Sequence, residues 1–253
     1  MKRPGWALFL FGAVAYLGFL IGGAPATLIE KRLPPSVTVG QLSGTVWAGS
    51  AHHVVAGPMT LMHLSWHLLP WGVVYGQLRA ELNARGADLN GHGLLSLSRT
   101  ELSLMKGRAS LPIAPWLQQF GVPLPFSGQL SGENLSLRLS RVGVEEAGGK
   151  VTARKLNLPD VGLIGSYTLH LSSANGTIKG RLKTLDGPLR LHGSVTITNG
   201  THLTLDAVAH ADANLAPEVM DSLAMAGRRR PDGSVLLHRR INLTAWLRSR
   251  DLR

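Results

Sequence analysis

The sequence predicts a mainly-β protein in which a single N-terminal transmembrane helix is followed by a long, curved antiparallel sheet carrying a few short helices. Three observations point there. The chain opens with nineteen consecutive uncharged residues, Gly5 to Gly23 (GWALFLFGAVAYLGFLIGG). Beyond them apolar and polar residues alternate in segment after segment, the period of a strand with one dry and one wet face. Thirty glycines and fourteen prolines in 253 residues disfavour long helices.

Taken in order, residues 1–4 form a cytoplasmic start and 5–23 the membrane span. As a helix rising ~1.5 Å per residue, the run covers roughly 28 Å, close to the hydrocarbon thickness of a bilayer. Its anchor side chains are Trp6, Leu8, Phe9, Leu10, Phe11, Leu17, Phe19, Leu20 and Ile21. Trp6 stands at the front edge, where an aromatic ring suits the interface. Lys2 and Arg3 precede the run, and the positive-inside rule keeps that end in the cytoplasm. A cleaved leader is the competing reading, because Ala24-Pro25-Ala26 loosely resembles a cleavage site. The apolar core of such a leader spans about 7–15 residues, and this run is longer, which favours the anchor. Either way the remaining chain is exported.

Residues 24–36, with Glu30-Lys31-Arg32 and Pro34-Pro35, read as a linker, and 37–245 as the β-rich domain. Val37, Val39 and Leu42 open a strand. Alternation recurs at Leu78 to Leu82, Leu102 to Leu104, Leu135 to Leu139, Tyr167 to Leu171 and Leu189 to His192. Val195 to Thr198 and Leu203 to Asp206 flank Asn199-Gly200, the strongest hairpin signal in the chain. Glycine pairs such as Gly128 and Gly132, or Gly176 and Gly180, suit bulges and bends that let a sheet twist. Pro70 to Gly76 and Pro115 to Phe120 each start with Pro-Trp and predict short helices. Asn214 to Ala226 predicts a third, with Asn214 as N-cap and Leu215, Val219, Met220 and Leu223 along one stripe. Arg228-Arg229-Arg230 leads into the turn Pro231-Asp232-Gly233 and a last strand, and 246–253 form a basic tail.

Charge sits mostly at the ends. The total is +11, yet between Pro4 and Gly227 the excess is only +3. A nucleic-acid-binding body needs a dense basic stripe with interleaved aromatics, and nucleic acid is excluded as a partner on that ground. With no cysteine, disulfide scaffolds, thiolate catalysis and Cys-ligated metals are excluded. Of ten histidines, His52-His53 would point to opposite faces of a strand. His63 and His67 share a face but have no acid nearby in sequence. Glu145-Glu146 reads as part of a turn, and paired acids at work should face each other across a cleft. Gly91-His92-Gly93 lacks the lysine and helix of a phosphate loop. No catalytic, cofactor or metal residue is assigned, and the chain is read as a non-enzyme. The candidates for packing or partner contact are Trp47, Trp66, Trp71 and Trp116.

A short basic start, one apolar span and Gly44-Thr45-Val46-Trp47-Ala48-Gly49 together resemble the type II secretion system protein N family (general secretion pathway protein N). The stretch LSWHLLPWGVVYGQLRAEL around Trp66 is similar to that family's Trp–Leu–Pro, short helix, Gly, strand section. Asn214–Gly227 followed by Pro231-Asp232-Gly233 is similar to its closing section. The resemblance implies a single-pass protein of the cell inner membrane with its β domain in the periplasm, an accessory, non-enzymatic part of the machine that exports folded proteins across the outer membrane. Its partners would be other inner-membrane and periplasmic secretion proteins and the lipid bilayer. A fold-level likeness to AsmA-like proteins implies the alternative, a membrane-tethered lipid-binding or lipid-transfer groove with phospholipid as ligand.

Overall fold

A computed structural model describes residues 16, 19–20, 22–30, 33, 37–56, 59–74, 76–115, 126–141, 143–159, 161–212, 219 and 227–242. They form one open antiparallel sheet of fifteen strands. β1 (Val37–Val39) and β2 (Leu42–Gly44) both pair with β3 (Ala48–Ala56). β4 (Met59–Leu69), β5 (Leu78–Arg85), β6 (Asn90–Leu97), β7 (Glu101–Pro112), β8 (Ser127–Ser140) and β9 (Gly143–Leu158) follow in neighbour order. So do β10 (Gly162–Ala174), β11 (Thr177–Asp186), β12 (Leu189–Thr198) and β13 (His202–Ala211). The far edge is β15 (Val235–Asn242), capped over its first residues by the two-residue β14 (Arg228–Arg229). Two short helices stand at strand ends, α1 (Thr27–Glu30) and α2 (Pro70–Val74).

Most of the meander follows from the sequence, because short turns join most alternating segments to their neighbours; the connections over residues 113–126 and 212–227 are longer. At Asn199-Gly200 the chain has φ of 53° and 67°, the left-handed pair that a type I′ hairpin requires. Asn175-Gly176 repeats it with 50° and 70°. Antiparallel partners share a face, so the registers give the sheet two sides. On one lie Leu64, Leu82, Leu104, Leu137, Leu169 and Val195; on the other lie most of the serines, threonines and histidines, with Lys179, Arg181 and Lys183.

Glu145-Glu146 corrects one expectation: the pair lies inside β9 and not in a turn. Glycines misled the reading, because Gly148 and Gly149 lie inside the strand and do not end it. Gly149, at φ 117°, occupies a bulge where a Cβ would stand 2.7 Å from the Asn134 carbonyl oxygen. Neighbouring strands break register at Leu104/Gly107 and Glu133/Ser136, with Lys106 and Asn134 at positive φ. Such bulges bend strands and increase twist. Further along, the Val144 amide donates to the Gly200 carbonyl at 3.1 Å. β9 and β12 stand three strand positions apart, about 14 Å in a flat sheet at ~4.8 Å per strand. The sheet therefore curls at this end until two turns meet.

Two apolar clusters close the ends. Ala51, Val54 and Leu61 pack with Val37, Val39, Leu42, Leu64 and Trp66. Ile164, Tyr167, Leu189, Ala209, Val219 and Val235 form the other, near the opposite edge of the sheet. Val219 is helical and buried, and the rest of the expected Asn214–Ala226 helix lies outside the described residues, as does Pro115–Phe120 beyond Pro115.

Candidate functional site

The four tryptophan candidates do not share one site. Trp66, on the apolar side of β4, is half-buried and its indole N–H donates to the Val46 carbonyl at 3.0 Å. Trp47 lies in the β2–β3 turn, where its carbonyl accepts the Leu68 amide at 2.6 Å. Trp71 stands on α2 with 78% of its surface exposed. Trp116 lies outside the described residues. Of the anchor residues, Phe19 and Leu20 are helical and exposed; Trp6, Leu8, Phe9, Leu10, Phe11, Leu17 and Ile21 lie outside the description. No helix among the described residues is long and apolar enough to cross a membrane.

The histidines are distributed over the polar face. His52 and His63 meet across β3 and β4 with ring centroids 4.8 Å apart, and register sets Glu81 opposite His67. Sequence reasoning missed that acid because it arrives from β5, fourteen residues on. No group of three or more potential ligands is gathered for a metal ion among the described residues. Glu146 is engaged by Arg138 at 3.2 Å, and His238 by Asp206 at 2.5 Å.

What period-two spacing hid in the charge balance is a basic row. Lys179, Arg181 and Lys183 all project from the polar face of β11, opposite Ser172, His170 and Thr168 on β10. On β12 their partners are Thr196, Ser194 and His192. None of the three has an ion pair among the described residues. A shallow cavity of about 620 Å³ lies over them, lined also by His170, Ser172 and Ser194. The near-neutral net charge of the body averages this row away. Aromatic residues are missing from the row, so it lacks the stacking platform of a single-strand nucleic-acid binder. A second cavity, about 550 Å³, opens where Gly143, Asn175 and Gly200 converge, with Glu145 and Glu146 in its wall.

Among the described residues, Leu237 to Asn242 of β15 have a strand partner on one side only, since β14 ends at Arg229. That edge carries His238, Arg239 and Arg240. Unpaired strand edges accept extended segments of a partner, and charge on them discourages indiscriminate pairing. The geometry is that of a surface with basic, selective contact points.

A family model described as type II secretion system (T2SS), protein N, matches residues 35–238, well over half of the chain. The chain belongs to the type II secretion system protein N family. Among curated proteins it is similar to "Type II secretion system protein N" of Aeromonas hydrophila, 34% identical over 137 residues. That match spans about half of each of the two proteins. No solved structure matches the chain. The matched residues run from just before β1 into β15, so the match covers almost the whole sheet of this chain.

Proposed function

We propose that this chain is an inner-membrane-anchored, non-enzymatic accessory component of the type II secretion system, whose periplasmic sheet docks onto other proteins of the machine. The observation that carries the reading is the family match along almost the whole sheet. The apolar run 5–23 serves as the single-pass anchor. Tethering confines the domain near the membrane and raises its effective concentration for periplasmic partners. The row Lys179–Arg181–Lys183 supports the docking role, because three uncompensated charges on one strand face favour an acidic partner and speed its encounter. The hollow on the apolar face between Leu64, Leu82 and Leu104 measures about 230 Å³. That is below the ~300–1,000 Å³ of ordinary ligand pockets, so docking is preferred to a lipid groove.

The test is purification of the full chain from cells in mild detergent, with the wild type beside Lys179→Glu/Arg181→Glu/Lys183→Glu. Secretion-machine proteins should accompany the wild type and be lost from the charge-reversed form. A wild type that brings none of them, or a sheet protected from protease added to spheroplasts, overturns the reading.

A further inference from the structure

We propose that the strand-end rim around Trp71 rests on the bilayer surface, with lipid headgroups and the first acyl carbons as its partner. The inference rests on the anchor reading above and goes beyond it, giving the sheet a second membrane contact and a fixed orientation.

The rim gathers apolar side chains that burial should have hidden. Trp71 on α2 is 78% exposed, and Leu69 ends β4, Leu78 starts β5 and Leu97 ends β6, all exposed. Register sets Leu78 against Leu97 on one face and Leu69 against Arg79 on the other, so their strand ends stand together at one rim. Leu28 on α1 is exposed at the same end of the sheet. Exposed large apolar side chains gathered at one rim mark a contact surface.

The occupant is argued from where the chain enters. The Val46 amide donates to the Ala24 carbonyl at 2.9 Å, and the Ala26 amide to the Gly44 carbonyl at 3.1 Å. The residues that follow the apolar run are thus bonded to the β2–β3 turn, and the Leu68 amide ties that turn to the end of β4. Just before them the Gly23 amide donates to Phe19, a helical bond, and Phe19 and Leu20 are exposed. No slack separates the apolar run from the rim. An anchor in the bilayer therefore holds Trp71 within a few strand spacings of about 5 Å of the interface. Tryptophan favours the headgroup level, and the exposed Arg79, Arg99 and Arg141 stand at this end of the sheet among the exposed acids Glu30, Glu81, Glu101 and Glu145.

The cysteine-free sequence allows a clean test with the full chain. Trp71→Cys, Leu97→Cys and Asp88→Cys are each labelled with an environment-sensitive fluorophore and reconstituted in phosphatidylethanolamine–phosphatidylglycerol vesicles. Asp88 lies in the β5–β6 turn at the opposite rim and serves as the wet reference. The emission at 71 and 97 should shift to the blue and be quenched by nitroxide-bearing lipid, while that at 88 should not. Flotation of the same vesicles reads the anchor separately. A chain that floats with 71 and 97 as wet as 88 overturns the rim contact and leaves the anchor standing. A chain that does not float overturns both. Leu97 alone decides the outcome if Trp71→Cys folds poorly.

Discussion

Replacing Tyr167 by phenylalanine removes one oxygen from the larger apolar cluster and tests how that end of the sheet is held. Tyr167 is 5% exposed, and its hydroxyl donates to the Leu189 carbonyl at 2.8 Å, with the Ile164 carbonyl at 3.4 Å. The bond ties β10 to β12 across β11. Losing such a bond costs ~0.5–1.5 kcal/mol net, and about 1–3 kcal/mol when the buried acceptor is left dry. At about 2–4 °C per kcal/mol for a domain of this size, melting should fall by several degrees. Burial, reinforced by the nearby Asp186 carboxylate, pushes the Tyr167 phenol well above its ordinary value of 10.0. The folded state therefore keeps a proton that the unfolded state gives up. Stability from this group is complete below pH 10 and falls by about 1.4 kcal/mol per unit as the pH rises above it. Urea titrations of wild type and Tyr167→Phe at pH 7 and pH 11 read both effects. The gap between the two proteins should be smaller at pH 11 by roughly 1 kcal/mol, because only the wild type suffers the alkaline loss. Equal midpoints at pH 7, or a gap that does not change with pH, would refute the reasoning.

Other expectations follow from single residues. Gly187→Ala would place a Cβ 2.2 Å from the Gly165 Cα at φ 108°, so strain plus overpacking should cost roughly 2–6 kcal/mol in a urea titration. Asn175→Ala keeps the turn's φ of 50° but loses the residue that tolerates it, and should cost about 1 kcal/mol in thermal melting. Asp232 accepts bonds from the Ser234 hydroxyl at 2.6 Å and amide at 3.0 Å, and these bonds hold its carboxyl below the usual range. Its contribution is present above the unfolded carboxylate value and lost as pH falls through the folded one, so Asp232→Ala should flatten the acid limb of the stability profile. Binding that uses Lys179, Arg181 and Lys183 should weaken as salt rises from 50 to 500 mM, read as loss of co-purifying protein; salt-independent recovery would count against a charge-driven contact.

Local features were readable wherever neighbours along the chain decide them. Period two placed Leu78, Leu102, Leu135 and Leu203 in strands, because alternation is a property of adjacent residues. Asn199-Gly200 announced its own turn through the φ values it tolerates. Pro70 opened α2, as a proline without an N–H to lose should. Glu145-Glu146 failed, since the glycines that look like turn residues serve as bulges only when a partner strand is present. The same limit separated Trp66 from Trp71: the sequence offers both as contact candidates, and only the packing around them half-buries one and leaves the other bare.

Sequence alone determined the strand segments, the apolar run at the start and the family, since each is written in contiguous residues. Tertiary structure decided that Lys179, Arg181 and Lys183 face a common cavity, that Glu81 meets the histidine face, and that the turns at Gly143 and Gly200 touch. Register and curl set those relations. Both depend on hydrogen bonds between strands far apart in the chain, whose partners no local pattern can name.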